Sequence, residues 1–431
     1  MKRQLVMVSL VLVVSAVLAL AQSNPVYIQF RPSAVKGLLY KPDSGPAPHV
    51  GILNIHRTAN VLDQVHNAEL AKRGFLVLAM NTRFDNNDTK VNYEELAFDV
   101  KTGIEFLRKQ PGITKVVLFG GSDGGATVTF YQATAEHGPA YCQGPHKLVP
   151  CGNNLAGLPR ADGIIVRDPT PGNSVTVLRS LNPAVVNETD PHQITADLDP
   201  FNPKNGFNAN GPSKYSKEFK QKYFMAQAER MNRLIDAALG KMERMKQGKG
   251  AFPDDDVFLV IRGDEGRLLE LDPSIHGSTV KPQKLLKNDG TIVTQIVETV
   301  RQPVRGGAAR NAMFNGGAKL LTVRSFLSAN AIRATDSMDG IDWCSSNNSV
   351  PCAVQNISVP ILFTGMQAAY FFRDNEIHYE LAASKDKDFI VIEGATHGTT
   401  PCTECETSPG QYSNTVRNFS DYVRKWINAR F

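Results

Sequence analysis

Gly120-Gly121-Ser122-Asp123-Gly124 holds the residues of this chain best suited to chemistry. The apolar, β-branched run Val116-Val117-Leu118-Phe119 leads into it, and Ala126-Thr127-Val128-Thr129-Phe130 continues beyond it as a helix. A strand that ends in a tight turn and passes at once into a helix holds a serine hydroxyl clear of the backbone, ready to attack a carbonyl carbon. Gly120 and Gly124 have no Cβ, so strand and helix can close on one another. Amides beside Ser122 then lie at a helix N-terminus, where developing negative charge is stabilised. The pattern predicts a nucleophilic Ser122 with the Asp123 amide as one oxyanion donor.

A serine nucleophile needs a base. Glu393-Gly394-Ala395-Thr396-His397-Gly398 follows the apolar run Phe389–Ile392, which puts His397 in a loop at the C-terminal edge of a sheet. That is where open α/β folds bind ligands, and His397 is the expected proton shuttle. His56-Arg57-Thr58-Ala59 follows the strand-like stretch His49–Ile55. The main chain of Arg57 or Thr58 is the expected second oxyanion donor, with His56 tying its own turn; the Arg57 side chain is also a candidate anchor for an acidic substrate group.

These loops need a scaffold. Between residues 50 and 167, strand and helix signals alternate, which argues for a mostly parallel sheet covered on both faces. After His49–Ile55 come a helix over Leu62–Arg73, a strand over Phe75–Met80 and an amphipathic helix over Tyr93–Lys109 that ends at Pro111-Gly112. The serine strand follows, then Gly163–Arg167. The rhythm resumes with strands over Val359–Phe363 and Phe389–Ile392 and helices over Asn375–Ser384 and Val416–Ile427. Between 173 and 350 it is broken by a long helical segment, Ser216–Gly248, by strand-like pieces at Val257–Ile261 and Thr291–Val300, and by Asn-, Pro- and Gly-rich stretches. We read 22–172 and 351–431 as the core domain and 173–350 as a cap inserted over the sheet edge. Phe224, Met225, Met231 and Leu234 are candidates for an apolar pocket wall, although such residues more often form a cap's own core.

The 431 residues are 42% hydrophobic and 21% charged, ordinary for a globular protein. Of the net charge of +5, two units belong to Lys2 and Arg3, and the remaining balance makes no case for nucleic acid or a membrane surface. Residues 1–21 read as a signal peptide: Lys2 and Arg3, then an apolar run over Leu5–Leu20, then cleavage after Ala21. A secreted or periplasmic protein without stable membrane insertion is expected. Six cysteines fall as close pairs, Cys142 with Cys151, Cys344 with Cys352 and Cys402 with Cys405. In an oxidising compartment an even count reads as disulfides, and proximity favours these local pairings among many. Cys402-x-x-Cys405 as a redox or metal pair is the alternative. Asp254-Asp255-Asp256 and Asp197 with Asp199 lack calcium-loop spacing and read as solvated loops. No metal or cofactor is called for.

The serine motif, the strand ending in His56-Arg57 and the Glu393–Gly398 loop together resemble the α/β-hydrolase superfamily, over roughly residues 26–170 and 355–431. The resemblance implies an eight-stranded, mostly parallel sheet, a Ser-acid-His triad, and ester or related acyl chemistry without a cofactor. The acid departs from the common pattern, which places it a few residues after the penultimate strand. Here that stretch is Gly365-Met366-Gln367-Ala368-Ala369-Tyr370, with no carboxylate. Asp168, in Arg167-Asp168-Pro169, resembles the acid of pancreatic-type lipases and is the expected member. Glu376 is the alternative, with Asp374 nearby, and in the first turn of a helix it would also complement the dipole. The expected substrate is a small-molecule or lipid-like ester. Lactonase, amidase or peptidase, and acyltransferase chemistry use the same triad, and a non-catalytic binding protein on this scaffold is a further alternative.

Overall fold

Runs such as Val50–Ile55 and Ile361–Met366 are too apolar to face water on either side, and they form the middle of a ten-stranded sheet. The computed structural model describes residues 25–31, 34–303 and 317–431. The leader expected over residues 1–21 lies outside them. In chain order the sheet strands are β1 (Val26–Gln29), β2 (Lys36–Tyr40), β3 (Val50–Ile55), β4 (Leu76–Asn81), β5 (Lys115–Gly121), β6 (Gly163–Arg167), β7 (Gln283–Leu286), β8 (Ile292–Gln295), β9 (Ile361–Met366) and β10 (Lys387–Ile392). Their spatial order is β1-β2-β4-β3-β5-β6-β9-β10-β7-β8. From β4 to β7 every neighbouring pair is parallel, and the antiparallel pairs are confined to the two ends.

Side chains alternate between the sheet faces with period two. Leu53, Leu78, Leu118, Val166 and Phe363 pack on one side under α2 (Tyr93–Arg108) and α3 (Gly124–His137). Ile52, Val77, Phe119, Ile165 and Ile390 pack on the other under α1 (Val65–Ala71) and the closing helix Thr415–Asn428, whose Phe419, Val423, Trp426 and Ile427 form one helical stripe. Gly103 in α2 is needed because a Cβ there would lie 2.7 Å from the Leu53 methyls on β3.

The fold class expected from sequence holds, but the sheet has ten strands, not eight. The additional pair, β7 and β8, comes from inside the stretch assigned to the cap. β7 pairs with β10 in parallel, Leu285 opposite Val391, and returns as β8 through the turn at Asp289-Gly290, where Gly290 has φ 89°. An otherwise bare edge of β10 is thereby covered, and residues 283–295 are sheet and not cap. Among its described residues, the insertion's longest element is the 30-residue helix α5 (Lys217–Lys246). Its Ala228, Met231, Leu234 and Ile235 form a separate core with Val175 and Leu178 of α4 (Asn173–Ser180) and with Phe326. No helix among the described residues is long and apolar enough to cross a membrane.

The turn that carries Ser122 is held by space that only glycine fits. A Cβ on Gly120 would lie 2.3 Å from Gly124 O, and one on Gly124 would lie 2.5 Å from Ile55 O. Both clashes are with backbone, which cannot step aside. Gly124→Ala is therefore expected to lower the thermal midpoint by about 2–4 °C, the scale of an overpacking penalty of roughly 2–3 kcal/mol in a chain of this length. A midpoint within 1 °C of wild type, set by calorimetry, rejects the argument.

The helix after β9, α6 (Phe372–Leu381), buries His378 with neither ring nitrogen hydrogen-bonded. Burial pushes its pKa down from the ordinary 6.5 to about 4. Between those values the unfolded chain binds a proton that the folded chain does not, so this contribution is complete above about pH 6.5 and is lost as pH falls toward 4. The thermal midpoint is expected to fall between pH 7 and pH 5, and less steeply in His378→Leu. Equal slopes in the two proteins overturn this.

Candidate active site

β5 ends at Gly121, and Ser122 turns the chain with φ 55°, a conformation that costs a side-chain-bearing residue energy and is kept only when its surroundings impose it. Here they do. Ser122 N–H donates to Arg167 O at 3.1 Å, Thr170 N–H donates to Ser122 O at 3.3 Å, and Gly125 N–H closes the first helical turn on the same carbonyl. Of the six non-glycine residues at positive φ among those described, three lie here: Ser122, Asp168 at 42° and Thr399 at 73°.

Asp168 directly follows β6 and is completely buried. Its N–H donates to Thr364 O on β9, and its Oδ1 accepts from Met366 N–H at 3.2 Å and Asn375 Nδ2 at 3.4 Å. His397 Nδ1 lies 2.5 Å from Oδ2. With an ionised carboxylate opposite, Nδ1 carries the proton, leaving Nε2 as the acceptor. The His397 ring packs against Phe371 at 5.2 Å between centroids, and its side chain remains partly open to solvent.

The loop bearing His397 is braced on all sides. Cys402 N–H returns to Gly394 O, Thr399 N–H to Thr396 O, and the Thr396 and Thr400 hydroxyls are 2.8 Å apart. Gly394, at φ 60°, lies so close to the Tyr412 ring that no Cβ fits. Cys402 and Cys405 stand at disulfide separation just beyond the loop, with Cα atoms 5.2 Å apart. The other two expected pairs, Cys142 with Cys151 and Cys344 with Cys352, are also paired, with Cα atoms 5.5 and 5.1 Å apart.

Two of these braces carry no sequence-level expectation. The Arg167 guanidinium lies under Gly121, donates to His397 O and reaches Thr399 Oγ1 at 3.4 Å. Burial pushes its pKa down, with Asp168 opposing. An arginine closing the otherwise apolar run Gly163–Val166 is the signal that could have found it. Gln367 accepts from Gly394 N–H at 2.9 Å, tying the loop after β9 to the histidine loop; it stands in the stretch where the common pattern has its acid.

The other candidate carboxylates are committed elsewhere. Glu376 is buried, and its two oxygens accept from the amides of Val280 and Lys281, from Gln283 Nε2 and from Arg373 Nη1. Asp374 takes Arg179 Nη1 on both oxygens at 3.1 Å. Burial pushes the Asp374 carboxyl up, but the arginine prevails and holds it well below the usual carboxylate range.

At the strand end facing Ser122, the expectation for Thr58 needs correction. Its N–H donates to His56 Nδ1 at 3.0 Å, alongside Ala59 N–H at 2.8 Å, so it does not point toward an oxyanion. His56 is the structural tie expected of it: burial holds its pKa down to about 4, which leaves Nδ1 free to accept. Among the described residues the Arg57 and Asp123 amides donate to no protein acceptor. The Arg57 side chain is taken by Asp123 at 3.3 Å and Asp88 at 2.8 Å, so it is not an anchor for an acidic substrate group. Burial would push the Asp123 carboxyl up; Arg57, His56 and a hydrogen bond from Thr170 hold it below its usual range.

A cavity of about 230 Å³ opens beside His397, with Leu269, Ala368, Ala369, Tyr370 and Phe371 as its apolar wall and Glu270, Arg301 and Gln302 as its polar one. None of the suggested α5 residues lines it. Met231 and Leu234 are in the cap core, Phe224 packs with a second cap cluster, and Met225 is exposed.

No family model and no curated protein sequence matches the chain. Similar solved structures include Est1E from Butyrivibrio proteoclasticus, at 11% identity over 95% of this chain and 99% of that one, with a TM-score of 0.39. A monoacylglycerol lipase from Paleococcus ferrophilus is 13% identical over 91% and 99%, at 0.39, and the α/β hydrolase GrgF from Penicillium sp. sh18 is 10% identical over 92% and 94%, at 0.44. The chain's own features are a central parallel sheet, a serine turned out between β5 and α3, and a histidine loop after β10 that returns to a carboxylate at the end of β6. By these features the chain has the α/β-hydrolase fold.

Proposed function

We propose that the chain is an exported serine hydrolase of carboxylic esters, with Ser122, His397 and Asp168 as its triad. The observation that carries this reading is the 2.5 Å contact of His397 Nδ1 with Asp168, one residue beyond the Arg167 carbonyl that holds the Ser122 amide. Asp168 fixes the ring so that Nε2 takes the proton as Ser122 Oγ attacks the ester carbonyl carbon. The carbonyl oxygen gains negative charge and is held by the Asp123 and Arg57 amides. As the carbon–oxygen bond to the alcohol breaks, His397 returns the proton to the leaving oxygen, and an acyl-Ser122 remains. Water, deprotonated by His397, then attacks the acyl carbon, releasing the acid and restoring Ser122. Export is supported by the leader sequence and by six cysteines standing in three local pairs. The cap, residues 173–282 and 317–350 in this reading, contributes Leu269 to the cavity.

Short-chain nitrophenyl esters assayed with the mature protein test this. Ser122→Ala is expected to abolish turnover, and Asp168→Asn to lower kcat by about 10⁴, as for a triad aspartate elsewhere. Glu376→Gln is expected to keep kcat within about tenfold and to lower the thermal midpoint, since it loosens the three hydrogen bonds that anchor the start of β7. Full activity in Ser122→Ala, or equal small losses in the two acid variants, overturns the triad.

A further inference from the structure

Arg267 and Arg301 lie against Tyr370, Arg179 lines a small cavity with it, and the three guanidinium groups are not partnered alike. Arg267 donates to Glu270 and to Asp264, and reaches the Tyr370 hydroxyl at 3.3 Å. Arg179 is paired with Asp374. Arg301 is 8% exposed and lines the cavity beside His397, with its guanidinium over the Tyr370 ring at 5.7 Å. It enters no ion pair among the described residues. Only Nη2 is used, donating to Pro273 O at 3.1 Å and Ile275 O at 2.7 Å, while Nε and Nη1 are buried without any acceptor.

A buried cation left in this state is costly, because water has been removed from two donors and nothing replaces it. The nearby carboxylates do not supply the replacement. Glu270 is held by Arg267, Asp374 by Arg179, and Asp272 accepts from the amide and hydroxyl of Ser274. Burial pushes the Arg301 pKa down to about 10, still far above neutrality, so the group remains charged. The other walls of the cavity are mostly apolar, with Glu270, whose Oε1 is taken by Arg267, and Gln302 as further polar groups beside His397, and its 230 Å³ lies below the roughly 300–1,000 Å³ of pockets for drug-sized ligands. The space therefore suits a short aliphatic chain ending in an anion.

Which half of the substrate enters follows from the reaction order. His397 hands its proton to the departing alcohol oxygen, so the group beside His397 at that moment is the alcohol. We infer that Arg301 binds a carboxylate on the leaving alcohol, and that the substrates are esters of short hydroxy acids, cleaved by water to a carboxylic acid and a hydroxy acid. The inference rests on the triad reading for its orientation; the unpartnered cation stands independently of it.

The test has two arms. In the first, acetate release from γ-acetoxybutyrate is compared with release from neutral pentyl acetate. Wild type is expected to favour the anionic ester by about tenfold or more in kcat/KM, and Arg301→Gln to lower that ratio by about 10- to 100-fold, the worth of a charged hydrogen bond. Ala368→Asp places a competing carboxylate in the same cavity, leaves the Arg301 contacts to 273 and 275 in place, and is expected to lower the ratio as well. In the second arm, γ-hydroxybutyrate is titrated into Ser122→Ala protein, where binding is expected and should weaken at least tenfold on adding Arg301→Gln or Ala368→Asp. An unchanged ratio in both variants, or a preference that appears for nitrophenyl hemiglutarate over nitrophenyl valerate but not for γ-acetoxybutyrate, overturns the inference while leaving the triad intact. Absence of turnover on every ester with hydroxy-acid binding retained through Arg301 overturns the triad and leaves the anion site standing.

Discussion

Two adjacent residues at the end of β6 hold the two halves of the site in register. The Arg167 carbonyl takes the Ser122 amide, its guanidinium takes the His397 carbonyl, and the Asp168 carboxylate takes the His397 ring. Nucleophile loop and histidine loop are thus both referred to one strand in the middle of the sheet, where parallel neighbours on either side leave little room for movement. Burial makes the arrangement exacting. A fully buried carboxylate depends on its hydrogen-bond donors in place of water, so loss of any one of Met366 N–H, Asn375 or His397 leaves more of that work to the others. The positive φ at both Ser122 and Asp168 is the conformational cost of bringing these groups together, and it is sustained by the packing of Gly120, Gly124 and Gly125.

The first turn of α6 extends the same frame outward. Three consecutive side chains each reach a different part of the chain: Asp374 to Arg179 in α4, Asn375 to Asp168, and Glu376 to the amides leading into β7. Cap, acid and sheet edge are therefore coupled through one helical turn.

Most of the sheet was legible because its central strands are unbroken apolar runs separated by glycine or proline, and Gly163–Arg167 coincides with β6 residue for residue. Ser122 and His397 were legible because their loops follow such runs directly. β7 was not, since Gln283-Lys284-Leu285-Leu286 is short and half polar and pairs with a strand more than a hundred residues later, although Asp289-Gly290 was a readable hairpin signal. The contact that distinguishes Asp168 from Glu376 was equally hidden. Both are acidic residues beside sheet strands, and only three-dimensional proximity shows that one meets His397 while the other is consumed by backbone amides. Thr58 failed for a local reason: a histidine two residues earlier took its N–H, an option that neither composition nor spacing reveals.

In the proposed triad the carboxylate comes from β6, so the loop after β9 would carry no part of the proton relay. Ala368 is fastened to the histidine loop by its main-chain N–H on Ala395 O, a bond that any side chain except proline permits, and residues 368–370 face the cavity. The surface that chooses what enters and the groups that would cut it are thus encoded by different strands. Drift at 368–370 would redraw the menu of accepted molecules while the cutting apparatus stayed as it was, which gives this architecture an evolutionary freedom that an acid in that loop would forbid.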